Sequence, residues 1–428
     1  MMRHPYTTGL AGKLLSAATL FFALTSFSGE MESEGSAVYE MAKNGDLKSQ
    51  LDLANSYFHG KAGYKNDYSL AAYWYRKAAV SGSASAQFNL ALCYDRGLGV
   101  EQDGMEAFRY YKLSSDGGLP QAKYNIAVIY SNGILDASGE GYKLEKDIAM
   151  SLKLLRELCD SDFSPAMTRF ADHLIRGDGC EKNYGKAFEL LSRSAEMGDA
   201  QAMYMLADCY YNGWGCGKDQ VKMIGFLKAA SEKGNTEAMS RLAYCLEHGE
   251  GTEKNLEKSF ELYSKSAECG NDMAMVKVGD SYLKGELVKQ DVKLAKAWYE
   301  KAAEQKNHYA LFNLGVMAEE GIATEKNSEK AFSLFLDSAR RGNVRAQYNV
   351  GCLFSDGKGT HKDSTAAFYW FKRAAEQNNP KAQRRLALCY IEGTGTIESF
   401  NDGFSWLAKA AENGDLVATQ LVSELDVK

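Results

Sequence analysis

Few residues in this 428-residue chain have both the type and the spacing that chemistry requires. Ser281-Tyr282-Leu283-Lys284 has the Ser-x-x-Lys order, in which a lysine amine one helical turn away can take the proton of a serine hydroxyl. Acyl-transfer sites of that kind also carry Lys-Thr-Gly and Ser-Asp-Asn segments, and neither is present. Gly357-Lys358-Gly359-Thr360 looks like part of a phosphate-cradling loop but lacks the Gly-Lys-Ser/Thr order. Arg176-Gly177-Asp178 spells an integrin-type tripeptide at a place where the chain needs a glycine for another reason. The histidines (His4, His59, His173, His248, His308 and His361) show no metal-ligand spacing. No nucleophile, metal site or cofactor site emerges.

A second set of residues is patterned for contact. Phe88, Tyr124, Tyr204, Tyr211, Tyr244, Phe312 and Tyr348 recur along the chain with Asp95, Asp172, Asp208, Glu247, Asp280 and Glu319 among them. Aromatic rings offer contact area and π-faces, and carboxylates attract Lys or Arg. Such a stripe suits an extended peptide or a basic helix.

What positions these residues is a small residue that returns every 36 positions: Ala86, Ala122, Ala166, Ala202, Ala238, Ala274, Ala310, Ala346, Ala382 and Ala418. One step, Ala122 to Ala166, is 44 residues long. A fixed period of this kind signals a repeat solenoid and not one globular core. From each anchor, apolar residues at helical spacing, as in Ala202, Leu206, Ala207 and Tyr210, predict a first helix. A glycine ends it (Gly97, Gly133, Gly177, Gly213, Gly249, Gly285, Gly321, Gly357, Gly393), and a loop of about six to eight residues follows. A second helix, clearest at Ala295–Ala303, ends at another glycine, with Asn378 replacing it once. Pro120, Pro165 and Pro380 fall where a new helix starts.

The anchor and the residue five places on (Ala202/Ala207, Ala274/Gly279, Ala310/Gly315, Ala346/Gly351) are small, so two helix backbones can approach closely. Trp74/Tyr75, Tyr110/Tyr111, Trp298/Tyr299, Trp370/Phe371 and Trp406/Leu407 on the second helix are read as core filling. With 100° per residue, the places two, six and nine after the anchor face away from this core, and they hold the aromatic and acidic stripe. The 44-residue step comes from about eight extra residues around Gly133–Lys146, read as a surface loop that could serve binding.

Composition narrows the class. Forty-five per cent hydrophobic residues, 25% charged and only 4 prolines describe an ordered soluble chain. A net charge of −6 argues against a nucleic-acid binder. Arg3, His4 and Lys13 precede an apolar run, Leu14–Phe27, then Ser26 and Ser28 and an acidic stretch from Glu30. This is the layout of a secretory signal, too short for a spanning helix of ~20 residues, with cleavage expected after Ser28 and no membrane insertion after it is removed. Of nine cysteines, Cys93, Cys209, Cys245 and Cys389 lie on the core side of a helix, where thiols pack as small hydrophobes. Cys180 and Cys216 are one repeat apart; stacked helices sit ~8–10 Å apart while a disulfide needs Cα atoms within ~7 Å, so no pairing is expected. No Asn-x-Ser/Thr sequon occurs, which favours bacterial export over a eukaryotic route.

The units resemble the Sel-1-like repeat (SLR) family, 36-residue relatives of tetratricopeptide repeats. The resemblance rests on the small-x-x-x-Leu-small-x-x-Tyr, Gly-x-Gly and Lys-Ala-x-x-Trp-Tyr-x-Lys-Ala-Ala-x-x-Gly segments at Ala86–Val100, Ala202–Cys216, Ala295–Ala303 and Ala346–Ala375. It implies an all-α, right-handed superhelical solenoid of helix–turn–helix repeats whose first helices line a concave groove. The organisation expected is a signal peptide over 1–28, an N-terminal cap with a partial repeat over 29–47, about ten repeats over 48–416, and a partial repeat helix over 417–428. The function it implies is a non-catalytic adaptor, periplasmic or secreted, that holds a protein or peptide in the groove. The alternatives are an envelope hydrolase of the β-lactamase type and a secreted host-directed effector. Cysteine-rich family members linked to penicillin binding carry paired cysteines in each helix pair, which this chain does not.

Overall fold

Three places before most anchor alanines stands a short polar residue, and it decides where each first helix begins. In the computed structural model, which describes residues 37–136, 139 and 141–426, that side chain accepts the backbone N–H of the anchor. Ser83 receives Ala86 N at 3.2 Å, Asn235 receives Ala238 N at 2.7 Å, and Asn343 receives Ala346 N at 3.0 Å. A cap of this kind is worth about 1 kcal/mol. Leu119 and Phe163 provide no such bond, and there proline opens the helix instead. The second helices start the same way, on Asp67, Asp103, Asp147, Asn183, Asp219, Asn255, Asp291, Asn327, Asp363 and Ser399.

The described chain divides into two compact units. The first reaches Ala202 and also holds Gly213–Gly217. It contains α1 (Ala37–Lys43), α2 (Leu47–His59), α3 (Tyr68–Val80), α4 (Ala84–Arg96), α5 (Gly104–Asp116), α6 (Pro120–Asn132), α7 (Ile148–Asp160), α8 (Ser164–Arg176) and α9 (Tyr184–Glu196). Helix α10 (Ala200–Asn212) enters the second unit at Met203. That unit continues with α11 (Gln220–Glu232), α12 (Thr236–His248), α13 (Leu256–Glu268), α14 (Asp272–Lys284), α15 (Val292–Glu304), α16 (His308–Glu320), α17 (Ser328–Arg340), α18 (Val344–Asp356), α19 (Ser364–Ala375), α20 (Pro380–Glu392), α21 (Phe400–Glu412) and α22 (Leu416–Asp426). Within each unit the main packing runs between consecutive helices, as in a helical repeat solenoid.

One departure from an all-α chain is the inserted segment. Ile134–Leu135 and Tyr142–Leu144 form an antiparallel pair, β1 and β2, instead of an irregular loop. Residues 137, 138 and 140 at its tip lie outside the described residues, as do the expected signal segment over 1–28 and the part of the N-terminal cap before Ala37.

The core is built on a size match. Every anchor alanine from Ala86 to Ala418 is fully buried. The largest fully buried side chains are Tyr75, Tyr111, Tyr299, Phe335 and Phe371, all from second helices. Gly279, Gly315 and Gly351 lie directly under three of these rings: a Cβ there would sit 2.6 Å from Tyr299, 2.7 Å from Phe335 and 2.6 Å from Phe371. Alanine opposite a tyrosine also occurs, Ala243 with Tyr263, so the closer approach belongs to these particular helix pairs. Consecutive repeats are then tied by buried glutamines one place after the anchor. Gln87, Gln347 and Gln383 each donate Nε2 at 3.2 Å to the carbonyl of Ala79, Ala339 and Ala375 in the preceding second helix. The second glycine of the Gly-x-Gly turn is the other tie: at Gly359, with φ +70°, a Cβ would stand 2.1 Å from the Ser328 carbonyl of the repeat before.

Gly279→Ala drives a methyl group into the Tyr299 ring, and overpacking of this sort costs about 1–3 kcal/mol. A lowered urea midpoint with unchanged slope is the expected outcome; an unchanged midpoint refutes the size-match account.

Candidate functional site

The stripe positions fall in both units. In the first, Phe88 on α4 is half-buried and its ring lies 5.8 Å from Tyr111 of the paired second helix. Tyr124 on α6 lies 5.9 Å from Phe163, and burial raises its hydroxyl pKa. Asp172 accepts Arg176 Nε at 2.8 Å within its own helix.

The second unit holds the other candidate residues, from Tyr204 on α10 to Tyr348 on α18. Two of the aromatics turn toward the core: Phe312 lies 5.6 Å from Phe335, and Tyr348 lies 6.1 Å from Phe371. Tyr211 and Tyr244 keep 41% and 37% of their surface exposed, the most open rings of the stripe. Between them lies Arg241, its guanidinium carbon 4.8 Å from the Tyr211 centroid and 5.2 Å from that of Tyr244. His248 stacks on Tyr244 at 4.1 Å. Arg241 Nη2 also donates to Glu250 Oε2 at 3.4 Å. Arg241 was not among the residues singled out in the sequence, although it stands three places after its anchor, as Lys277 and Asn313 do.

The acids are less free than a plain acidic stripe would be. Glu247 Oε2 accepts from Tyr263 Oη and from Lys277 Nζ, each at 3.2 Å. Asp280 Oδ1 accepts from Tyr299 Oη at 2.6 Å and from Asn313 Nδ2 at 3.2 Å. Glu319 Oε1 accepts from Lys358 Nζ at 2.6 Å. These donors come from the paired second helix and from the next repeat. Asp208 differs: among the described residues no hydrogen bond or ion pair reaches its carboxylate. Burial pushes its pKa up to about 6, and the nearby Arg241 charge offsets this only in part. Tyr204, one turn before it, is pushed up to about 12, first by burial and then by Asp208 and Glu237.

The catalytic candidates are held as ordinary repeat parts. Ser281 Oγ donates to the Lys277 carbonyl at 3.0 Å, the back-bond of a helical serine, and Lys284 is exposed at the C-terminal end of α14. Gly357 caps α18 in the left-handed conformation, with its N–H on the Leu353 carbonyl. Gly177 of the Arg-Gly-Asp tripeptide caps α8 in the same way. Cys93, Cys209, Cys245 and Cys389 are buried. Among the described residues no group of His, Cys, Asp and Glu could hold a metal ion, and no helix is long and apolar enough to cross a membrane.

The repeat geometry is matched by a family model. The Sel1 repeat matches ten consecutive segments: 47–83, 84–119, 120–163, 164–199, 200–235, 236–271, 272–307, 308–343, 344–379 and 380–415. The chain belongs to the Sel1 repeat family. Sel1 repeats generally form scaffolds for protein–protein contact and are generally non-catalytic. Among solved structures, a Sel1 repeat protein from Oxalobacter formigenes is 24% identical, covers 80% of this chain and 94% of its own, and superposes with a TM-score of 0.53, which is a likeness of fold. A protective antigen of uropathogenic Escherichia coli displaying an SLR fold is 28% identical over 91% of this chain and 89% of that one, with a TM-score of 0.46. A comparison with curated proteins gives no match.

A carboxylate whose folded-state pKa is raised opposes folding when it is ionised, so its penalty is full above about pH 6 and absent below about pH 4, where both states are protonated. Asp208→Asn is therefore expected to raise the urea midpoint relative to the parent chain at pH 7.5. That difference should shrink as the pH falls through 6 toward 4. A variant equally or less stable at pH 7.5 contradicts the unpaired-carboxylate description.

Proposed function

We propose that this Sel1 repeat chain is an exported, non-catalytic scaffold that binds a protein or peptide along the first-helix face of its second unit. The observation that carries the reading is the group formed by Tyr204, Asp208, Tyr211, Arg241 and Tyr244. It joins half-open aromatic rings to charged groups on successive repeats, at positions where a pure spacer would need only solvated side chains. Tyrosine and arginine at such places give contact area and hydrogen bonding with little loss of side-chain freedom. The back-bonded Ser281 and the structural role of Gly357 support a non-catalytic role. Export rests on the N-terminal composition: basic residues, the Leu14–Phe27 apolar run and small residues at Ser26 and Ser28, which would leave Gly29 as the first residue of a periplasmic or secreted chain.

Tyr204→Ala combined with Tyr244→Ala is the test. Wild-type protein used as bait on a native envelope extract should retain a saturable protein partner, and the double variant should lose it at least tenfold, as removal of two aromatic anchors implies. Circular dichroism and the urea midpoint of the variant establish that it is folded. Undiminished capture by a folded double variant refutes this face as the binding site.

A further inference from the structure

Compare the four stripe carboxylates of the second unit. In the repeats that contain Glu247 and Asp280, the residue 25 places after the anchor is a tyrosine, Tyr263 or Tyr299, whose hydroxyl crosses from the second helix to satisfy the acid. In the repeat that contains Asp208 the same place holds Leu227, fully buried and without a donor. The next repeat could have compensated, as Lys277 does for Glu247 and Asn313 for Asp280. Its counterpart is Arg241, which is turned onto Tyr211 and Tyr244 and toward Glu250 and makes no ion pair with Asp208. Asp208 thus lacks both donors that the repeat pattern supplies elsewhere.

A half-buried carboxylate without a donor is costly to the folded chain, and a guest that brings a donor and a positive charge relieves that cost. The surroundings select the sign. Asp208 and Glu237 both act on Tyr204 against the charge of Arg241, which is itself paired with Glu250. They also select the shape. The flat slot between Tyr211 and Tyr244, where a guanidinium would stack, is already taken by Arg241, whereas a slim alkyl ammonium needs only the carboxylate.

We infer that Asp208, one helical turn from both Tyr204 and Tyr211, is a receptor for one lysine side chain of the bound protein or peptide. This rests on the binding face proposed above and adds the chemistry of its partner. The lysine ammonium takes the place that the hydroxyl of Tyr299 occupies on Asp280, and its methylene stem runs along Tyr204.

The test uses the full chain and acetylated, amidated dodecapeptides selected for binding to it, made identical except for one position occupied by lysine, arginine, norleucine or glutamate. Lysine is expected to bind roughly tenfold tighter than norleucine, the effect of a hydrogen bond to a charged group. That preference should fall below about twofold in Asp208→Asn, while Glu257→Gln, at an exposed acid on the second helix α13, leaves it intact. Leu227→Tyr, which supplies the missing internal donor, should weaken the lysine preference in the same direction. Equal binding of lysine and norleucine, a preference that survives Asp208→Asn, or arginine binding as tightly as lysine overturns the inference. If the norleucine peptide binds and is lost in Tyr204→Ala/Tyr244→Ala while lysine brings no gain, the binding face stands and only the lysine receptor falls. If no selected peptide is sensitive to the tyrosine pair, both fall.

Discussion

The structure depends on one contact: a small residue of the first helix against a large buried side chain of the second, a ring such as Tyr299 or a leucine such as Leu227, renewed in each repeat. Protein interiors are packed like organic solids, so the distance between two helix backbones is set by what lies between them. Ala86 to Ala418 carry no exposed surface, and Gly279, Gly315 and Gly351 let Tyr299, Phe335 and Phe371 lie almost on the backbone. This contact fixes the register of each helix pair. Once the pair is in register, each cap closes its own helix, the buried glutamines bond to the repeat before, and the turn glycines pack closely against it. The same register decides which residues look outward.

That chain of dependence explains what could be read from the amino-acid order. Period, helix pairs, turn glycines and the core aromatics are local or periodic properties, and all were legible. The positions facing away from the core were legible only in part: 100° steps from a known anchor place Tyr211 and Tyr244 outward, but Phe312 and Tyr348, at the place two after their anchors, turn back onto core rings. The capping residues carried an equally regular signal, a Ser, Asp or Asn three places before most anchors, which went unread. The hairpin at Ile134–Leu144 breaks the period and left no repeat against which to compare it. What could not be read was the state of the outward side chains. The sequence shows four acids at similar places; that Glu247, Asp280 and Glu319 are bonded while Asp208 is not depends on residues 25 places on and in the following repeat. Pairing is a tertiary property even in a chain of repeats.

A repeat protein provides its own controls, because each unit solves the same packing problem with slightly different residues. A position that departs from the common solution without a compensating change is a candidate for function. By this measure Gly357 and the Arg-Gly-Asp glycine are ordinary, since each caps its helix as its counterparts do, and Ser281, at a place where other repeats carry Cys245 or Leu353, is back-bonded within its own helix. The glycine of Gly279 is also ordinary, because the Tyr299 ring uses the space it leaves.

Asp208 is different in kind. Its neighbours in the pattern show two cheap remedies, a tyrosine at the place of Leu227 or an extended basic side chain at the place of Arg241, and the chain uses neither although both occur one repeat away. Arg241 instead is committed to Tyr211, Tyr244 and Glu250. A scaffold shaped only for stability would pair this acid or replace it. Holding it half-buried and without an internal donor makes the second unit slightly less stable alone than it could be, and on the reading proposed above a lysine of the partner supplies the missing donor.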